Sequence, residues 1–135
     1  MDSELYERFV EAKNKGLKRQ LTELANQFIA SFNSQEEKEV WVREFLENGG
    51  YGHRIRHEIY RDLVFPVLLA GYKRKDAWST FWLAKTTSNL HDLKQFHSAI
   101  ENKGAIQLLT EAYNLSPSPD VRKELLEKYL AWISW

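Results

Sequence analysis

The 135-residue chain contains no cysteine, and its charges balance, with 19 Lys and Arg against 19 Asp and Glu. Without cysteine the fold has neither a disulfide nor a thiolate site. A formal net charge of zero argues against a dedicated nucleic-acid-binding domain, which usually carries a basic excess. Hydrophobic residues make up 43% of the chain and aromatics 13%, so a core rich in aromatic rings can form without metal or cross-links.

Long apolar runs are also missing from the sequence. The longest, residues 63–71, contains Pro66 and is too short to span a bilayer. Residues 1–9 are charged and polar and lack the apolar core of a signal peptide. The sequence therefore predicts a cytoplasmic protein without membrane contact.

Apolar residues recur at helical spacing along almost the whole chain, and no segment shows the sustained alternation of a strand. The pattern predicts one all-α domain, residues 1–135, built as a compact stack of about seven or eight helices. Because the turns are short, neighbouring helices should form antiparallel hairpins. Gly16 either separates the first two helices or lies inside one long helix. Two helices are favoured, since glycine costs about 1 kcal/mol in a helix interior.

Capping residues or prolines mark several of the predicted helix boundaries. Ser34 and Glu37 have the spacing of a capping box, and Asp76 is a suitable N-cap for a later helix. Ser118-Pro119 combines a cap with proline at the first helical position. Pro66 lies inside the fourth helical pattern, where a kink or a break is expected.

Two further segments are predicted from their apolar spacing. Residues 90–100 indicate a short helix that buries Leu93, Phe96 and Ile100. The last helix should turn its apolar residues inward; these are Val121, Leu125, Tyr129, Leu130, Trp132 and Ile133. Trp135 at the end of the sequence is expected to pack on the core, and an exposed tryptophan there would be a candidate binding anchor.

Two stretches resemble the hairpins of tetratricopeptide repeats: residues 105–117 with the helix that follows at Pro119, and residues 69–84. In such units a small residue packs on the partner helix and a proline-bearing turn links neighbouring units. No 34-residue period is sustained, so the resemblance implies a distorted or solitary set of hairpins.

The second half of the chain also resembles the small helical immunity proteins of contact-dependent and related polymorphic toxin systems of bacteria. The resemblance rests on residues 65–72 (FPVLLAGY), 82–84 (WLA) and 108–113 (LLTEAY). It implies a bacterial inhibitor that binds and blocks one cognate toxin domain. It carries over no binding residues, because such proteins vary most where they touch their toxins.

The histidines suggest two kinds of chemistry, each with a simpler interpretation. His53 and His57 could present two imidazoles to one metal ion. They lack a third ligand and the His-Glu-x-x-His order, and they are flanked by arginines, so a polar helix face is favoured. His91, Asp92 and His97, with Ser88 or Ser98 as nucleophile, lack any motif that would place them in one pocket. The sequence therefore predicts no catalytic residue, no metal site and no cofactor.

Charged residues form the candidate partner-binding site. The basic cluster comprises Arg54, Arg56, Arg61, Lys73 and Arg74, together with Lys75 and the nearby Tyr51 and Tyr60, and could meet nucleic acid or an acidic protein. The acidic cluster on the third helix comprises Glu36, Glu37, Glu39, Glu44 and Glu47, and could meet a basic toxin. A solvated face is the alternative for both.

We consider three functions. The first is a non-enzymatic immunity or inhibitor protein that occludes a cognate toxin domain, itself a monomer or a weak dimer. The second is a helical-repeat adaptor, which a concave surface lined by Tyr and Asn would favour. Nucleic-acid binding through the basic cluster is the third, and the neutral net charge disfavours it.

Overall fold

The computed structural model describes residues 1–49, 55–91 and 93–133. Most of these residues are helical, and no strand occurs among them. The α-helices are α1 (Ser3–Asn14), α2 (Lys18–Ala30), α3 (Gln35–Glu47), the single turn α4 (His57–Ile59), α5 (Phe65–Lys73), α6 (Ala77–Lys85), α7 (Thr87–His91), α8 (Ala105–Leu115) and α9 (Pro119–Ile133). The predicted all-α fold class is confirmed.

The chain divides into two compact units, Met1–Val64 and Phe65–Trp135. In each unit, consecutive helices joined by short turns pack on each other, as α1 does on α2 and α8 on α9. The organisation of residues 1–135 as one domain stays a prediction.

The first unit is held together by aromatic side chains. Phe28 on α2 is fully buried, and its ring centroid lies 5.1 Å from that of Tyr6 on α1 and 5.2 Å from that of Trp41 on α3. Trp41 stacks in turn on Phe45, with centroids 4.8 Å apart. Rings at these separations add to the free energy gained by burial.

Gly16 separates α1 from α2, so the two-helix prediction is confirmed. Its φ is +71°, a conformation that glycine adopts without steric cost. The Gly16 N–H donates to the Lys13 carbonyl at 3.2 Å, and the Leu17 N–H donates to the Ala12 carbonyl at 3.0 Å. These are the paired bonds of a Schellman motif, which satisfies the last carbonyls of α1 before α2 begins.

Pro66 does not break its helix. Tyr60–Val64 forms a π-helical turn, and α5 follows directly from Phe65. A wider turn relieves the clash between a proline ring and the carbonyl four residues earlier, which a regular α-helix would impose. Of the kink or break expected at Pro66, the break does not occur, and the distortion takes the form of the π-helical turn.

In the second unit, α6 packs against both α5 and α8. Asp76 caps α6 as predicted, because its carboxylate accepts a hydrogen bond from the Ser79 N–H at 3.1 Å. Helices α5 and α6 approach closely at Gly71, where an added Cβ would lie 1.9 Å from Ser79 Oγ. Glycine at this position is therefore required by space.

The helix predicted for residues 90–100 does not form. α7 ends at His91, and two 3₁₀ turns follow at Lys94–Phe96 and Ser98–Ile100. Leu93 and Ile100 are nevertheless buried. A 3₁₀ turn repeats every three residues, so it can bury apolar residues at nearly the same spacing as an α-helix.

Candidate interaction surface on the α8–α9 hairpin

The start of α8 and the start of α9 are each fixed by a side-chain hydrogen bond. The Gln107 side chain accepts a hydrogen bond from the Gly104 N–H at 2.9 Å, which ties down the start of α8. The Val121 N–H donates to Ser118 Oγ at 3.2 Å, so Ser118 caps α9 with Pro119 at its first position, as predicted. α8 buries Leu108, Leu109 and Ala112 and packs on α6.

The first half of α9 is anchored to the rest of its unit. Val121 is buried, and Lys85 Nζ on α6 donates to Glu124 Oε1 at 3.2 Å. The same ammonium lies 5.3 Å from the ring centroid of Trp82 and 5.5 Å from that of Phe81. An ammonium over aromatic faces is attracted by the ring quadrupoles, so the rings of α6 hold this lysine in place while its bond to Glu124 joins α6 to α9.

The second half of α9 is exposed, contrary to the predicted inward face. Every residue from Leu126 to Ile133 is exposed; Leu130, Trp132 and Ile133 are exposed to 64%, 71% and 69%. Of the predicted inward residues, only Val121 is buried and Leu125 half-buried. The prediction is wrong because helical spacing shows which residues share a face, whereas burial also requires a neighbouring element to cover that face. Trp135 lies outside the described residues.

A groove of about 550 Å³ lies along the hairpin. Its lining combines apolar and uncharged polar side chains: Ile106, Gln107, Thr110, Asn114, Leu115 and Tyr129, with Glu111. The Asn114 side chain is exposed and makes no hydrogen bond to any residue that the structure describes. An amide with free donors and acceptor, beside apolar surface, can bond a peptide backbone.

A second groove of about 510 Å³ lies where α8 gives way to α9. Tyr113, Pro117, Pro119 and Leu126 give it apolar walls, and Arg122 and Lys123 add positive charge. Over the described ranges of the chain, neither cation forms an ion pair. The hairpin thus presents two shallow, largely apolar grooves beside an exposed apolar helix end.

One wall of the 550 Å³ groove is held by a hydrogen-bonded network. Lys103 Nζ donates to Glu111 Oε2 at 2.6 Å and to the Tyr72 hydroxyl at 2.7 Å. Tyr72 donates in turn to Glu101 Oε1 at 3.0 Å. The hydrogen bonds to Glu111 and Tyr72 raise the pKa of Lys103 above its ordinary value, so Glu111 remains paired on the groove wall.

The acidic cluster of α3 is only partly directed outward. Glu36, Glu44 and Glu47 are exposed and lie on one face, with spacing close to whole helical turns. Glu37 instead accepts from the amino group of Met1 and the N–H of Asn33. Glu39 is half-buried.

The basic cluster is divided by its own ion pairs. Arg56 Nε donates to Glu58 at 2.8 Å, and Arg61 donates twice to Asp62 at 2.8 Å. The Arg61 hydrogen bonds hold the pKa of Asp62 below its ordinary value. Lys73, Arg74 and Lys75 are exposed in the other unit, and Tyr60 is buried. Arg54 and Tyr51 lie outside the described residues, and nucleic-acid binding by this cluster stays a prediction.

Two of the described histidines, His57 and His97, each lie beside a polar group. His57 Nε2 lies 3.4 Å from an Arg61 nitrogen, and His97 Nε2 lies 2.9 Å from the Leu90 carbonyl. His53 and Asp92 lie outside the described residues. Within residues 1–49, 55–91 and 93–133, no group of three His, Asp or Glu residues is placed to hold a metal ion.

Function is inferred from the fold and the hairpin surface, because known proteins offer no match. No family model matches the chain, and no curated protein or solved structure is significantly similar to it. None of the helices in the described parts of the chain is both long enough and apolar enough to cross a membrane.

Proposed function

We propose that the protein is a non-enzymatic interaction module whose α8–α9 hairpin grips a segment of a partner protein. The groove lined by Asn114, Leu115 and Tyr129 carries the proposal. It combines the concave shape and the Tyr and Asn lining expected of a helical-hairpin adaptor, and its volume of about 550 Å³ suits a short peptide segment.

The chemistry of the groove indicates how a segment would bind. Ile106 and Leu115 offer apolar contact, and the Asn114 amide offers two donors and one acceptor to a peptide backbone. On protein-recognition surfaces, tyrosine supplies contact area at little cost in conformational entropy, and asparagine supplies adaptable hydrogen bonds. Because Lys103 and Tyr72 hold Glu111 in place, the groove needs little reorganisation on binding.

Affinity capture from the native cell tests the proposal with one groove variant. Asn114→Arg places a long cation in the groove, at an exposed position that no core contact uses. We expect the captured partner to bind this variant at least about 10-fold more weakly, a cost of about 1.4 kcal/mol. Asn26→Arg makes the same chemical change at an exposed position on α2 and should bind like the wild type. Equal capture by all three proteins would sink the proposal.

A second candidate is an immunity protein that occludes a cognate toxin domain in the bacterial cytoplasm. The outward acidic face of α3 favours it, since Glu36, Glu44 and Glu47 would steer a basic toxin during encounter. Val40, 59% exposed between these carboxylates, would add apolar contact.

Co-expression with the product of the adjacent gene tests this candidate. Wild type should protect cells from the toxin, and Glu36→Lys/Glu44→Lys should lose protection because both changes reverse the steering charge. The control, Glu4→Lys/Glu7→Lys, makes the same reversals on α1, where both residues are exposed. The candidate fails if wild type gives no protection, or if the α1 and α3 variants protect equally.

A further inference from the structure

The second half of α9 carries an exposed apolar stripe. Leu126, Tyr129, Leu130 and Ile133 follow i, i+3, i+4, i+7 spacing, and all four are exposed. Trp132 is exposed to 71% on a neighbouring side of the helix. Half of the large hydrophobic residues that are exposed among the described residues lie in these two turns. Contiguous apolar surface of this kind marks an interaction site.

We propose that this stripe pairs with the same stripe of a second copy of the chain, forming a helix–helix seam. The spacing is that of the seam in two-helix packing, where successive apolar residues of one helix interlock with those of another. The five side chains expose on the order of 600 Å² per copy, against the roughly 800 Å² per partner of a standard stable interface. Self-pairing therefore supplies an interface below the standard size, as expected of a weak dimer.

The charges around the stripe suit a second copy. Between Leu126 and Ile133 the only charged residues are Glu127 and Lys128, one of each sign. The whole chain also has a formal net charge of zero, so two copies approach without net repulsion. A helix that lies on an anionic membrane usually carries a basic polar face. The three basic residues of α9 are matched by three acidic ones, so the helix as a whole carries no basic excess.

The exposed helix turns themselves gain from pairing. A helix end that touches little else is only marginally stable, because most helical stability in proteins comes from packing. Packing against a second copy would shield the apolar side chains of this stripe from water. Association should therefore depend on protein concentration and change little with salt, since the contact is apolar.

Sedimentation of the full chain, from micromolar to near-millimolar concentration, tests the proposal. Wild type should shift from the mass of one chain to that of two. Leu130→Glu/Ile133→Glu should raise the dimer dissociation constant more than about 100-fold, because each copy would bury two unpaired carboxylates. Both positions are exposed, so circular dichroism should show the variant folded. Val10→Glu/Val40→Glu makes the same change at exposed valines in the other unit and should dimerise like wild type.

Two results would overturn the proposal: a wild-type monomer at every concentration, or an undiminished dimer in the α9 variant. Binding of a monomeric wild type to vesicles of anionic phospholipid, lost in the α9 variant, would assign the stripe to a membrane surface instead. The dimer stripe and the groove share Tyr129, but Asn114 lies outside the stripe and Leu130 and Ile133 lie outside the groove lining. Asn114→Arg should leave the dimer intact, so either idea can fail while the other stands.

Discussion

Glu58 shows how one residue joins distant parts of the sequence. Its carboxylate accepts from Thr22 Oγ1 at 3.1 Å and from Arg56 Nε at 2.8 Å, and the residue is almost fully buried. Burial raises the pKa of Glu58, but hydrogen bonds from its own backbone, Thr22 and Arg56 outweigh that effect and hold the pKa below its ordinary value of 4.5. The charged carboxylate therefore stabilises the folded first unit.

Glu58→Gln should lower the free energy of unfolding at neutral pH by about 1.5–3 kcal/mol, the usual net worth of hydrogen bonds to a charged group. Because the pKa is lower in the folded state, this contribution is present above pH 4.5 and is lost as the pH falls through the folded-state pKa. Urea unfolding of both proteins across that range measures the effect.

The exposed Glu36 offers the matched control, since Glu36→Gln should change stability by less than about 0.5 kcal/mol. A difference between wild type and Glu58→Gln that stays constant into acid would contradict the assigned role of the charge.

Single residues also show which interactions can be predicted from the sequence and which cannot. Ser34 was predicted to cap α3, and the Glu37 N–H does donate to Ser34 Oγ at 3.1 Å. The Glu37 carboxylate was assigned to partner binding, yet it holds the amino group of Met1, 36 residues away. Capping is a local pattern and can be predicted, whereas the long-range partner of a carboxylate depends on the tertiary fold.

At the scale of helices, the contact of α5 with α6 depends on one missing side chain. A Cβ at Gly71 would lie 1.9 Å from Ser79 Oγ and 2.5 Å from Ser79 Cβ. Gly71→Ala should therefore force the two helices apart and lower the free energy of unfolding by about 1–3 kcal/mol, the range for overpacking. Thermal or urea unfolding measures the loss.

Gly104→Ala is the matched control for that substitution. No atom lies within 4 Å of the Cβ position at Gly104, so the change should cost no more than the loss of a favourable capping residue, about 1 kcal/mol or less. If both variants were equally stable, the close approach at Gly71 would contribute nothing to the free energy of unfolding.

The helices predicted from caps were found more reliably than those predicted from spacing alone. Asp76 and Ser118 each begin a helix in the structure as predicted. Residues 90–100 had suitable apolar spacing without a cap, and they form 3₁₀ turns after α7. Hydrogen-bonding side chains at a helix start act locally, so their effect is readable in sequence. Apolar spacing near three residues fits either helix type.

On the scale of the molecule, sequence reasoning identified the all-α fold and placed the candidate binding site on charge clusters, whereas the surface proposed from the structure is the α8–α9 hairpin. Charge clusters are visible in a sequence, which is why α3 and the arginines were singled out. Arg56 and Arg61 then proved to be paired with carboxylates beside them. The groove at Asn114 and Tyr129 joins residues from two helices, and no local pattern marks it. One available signal was that the apolar residues of α9 surround too much of the helix for a single neighbour to cover.

Amide hydrogen exchange of the full chain, free and bound to its captured protein partner, tests the assignment of the binding surface most directly. Binding at the α8–α9 hairpin should slow exchange at the amides around Thr110, Asn114 and Tyr129, which the partner would shield and rigidify. Slowing confined to α3, around Val40 and Glu44, with the hairpin unchanged, would contradict that assignment and favour the inhibitor that binds through its acidic helix.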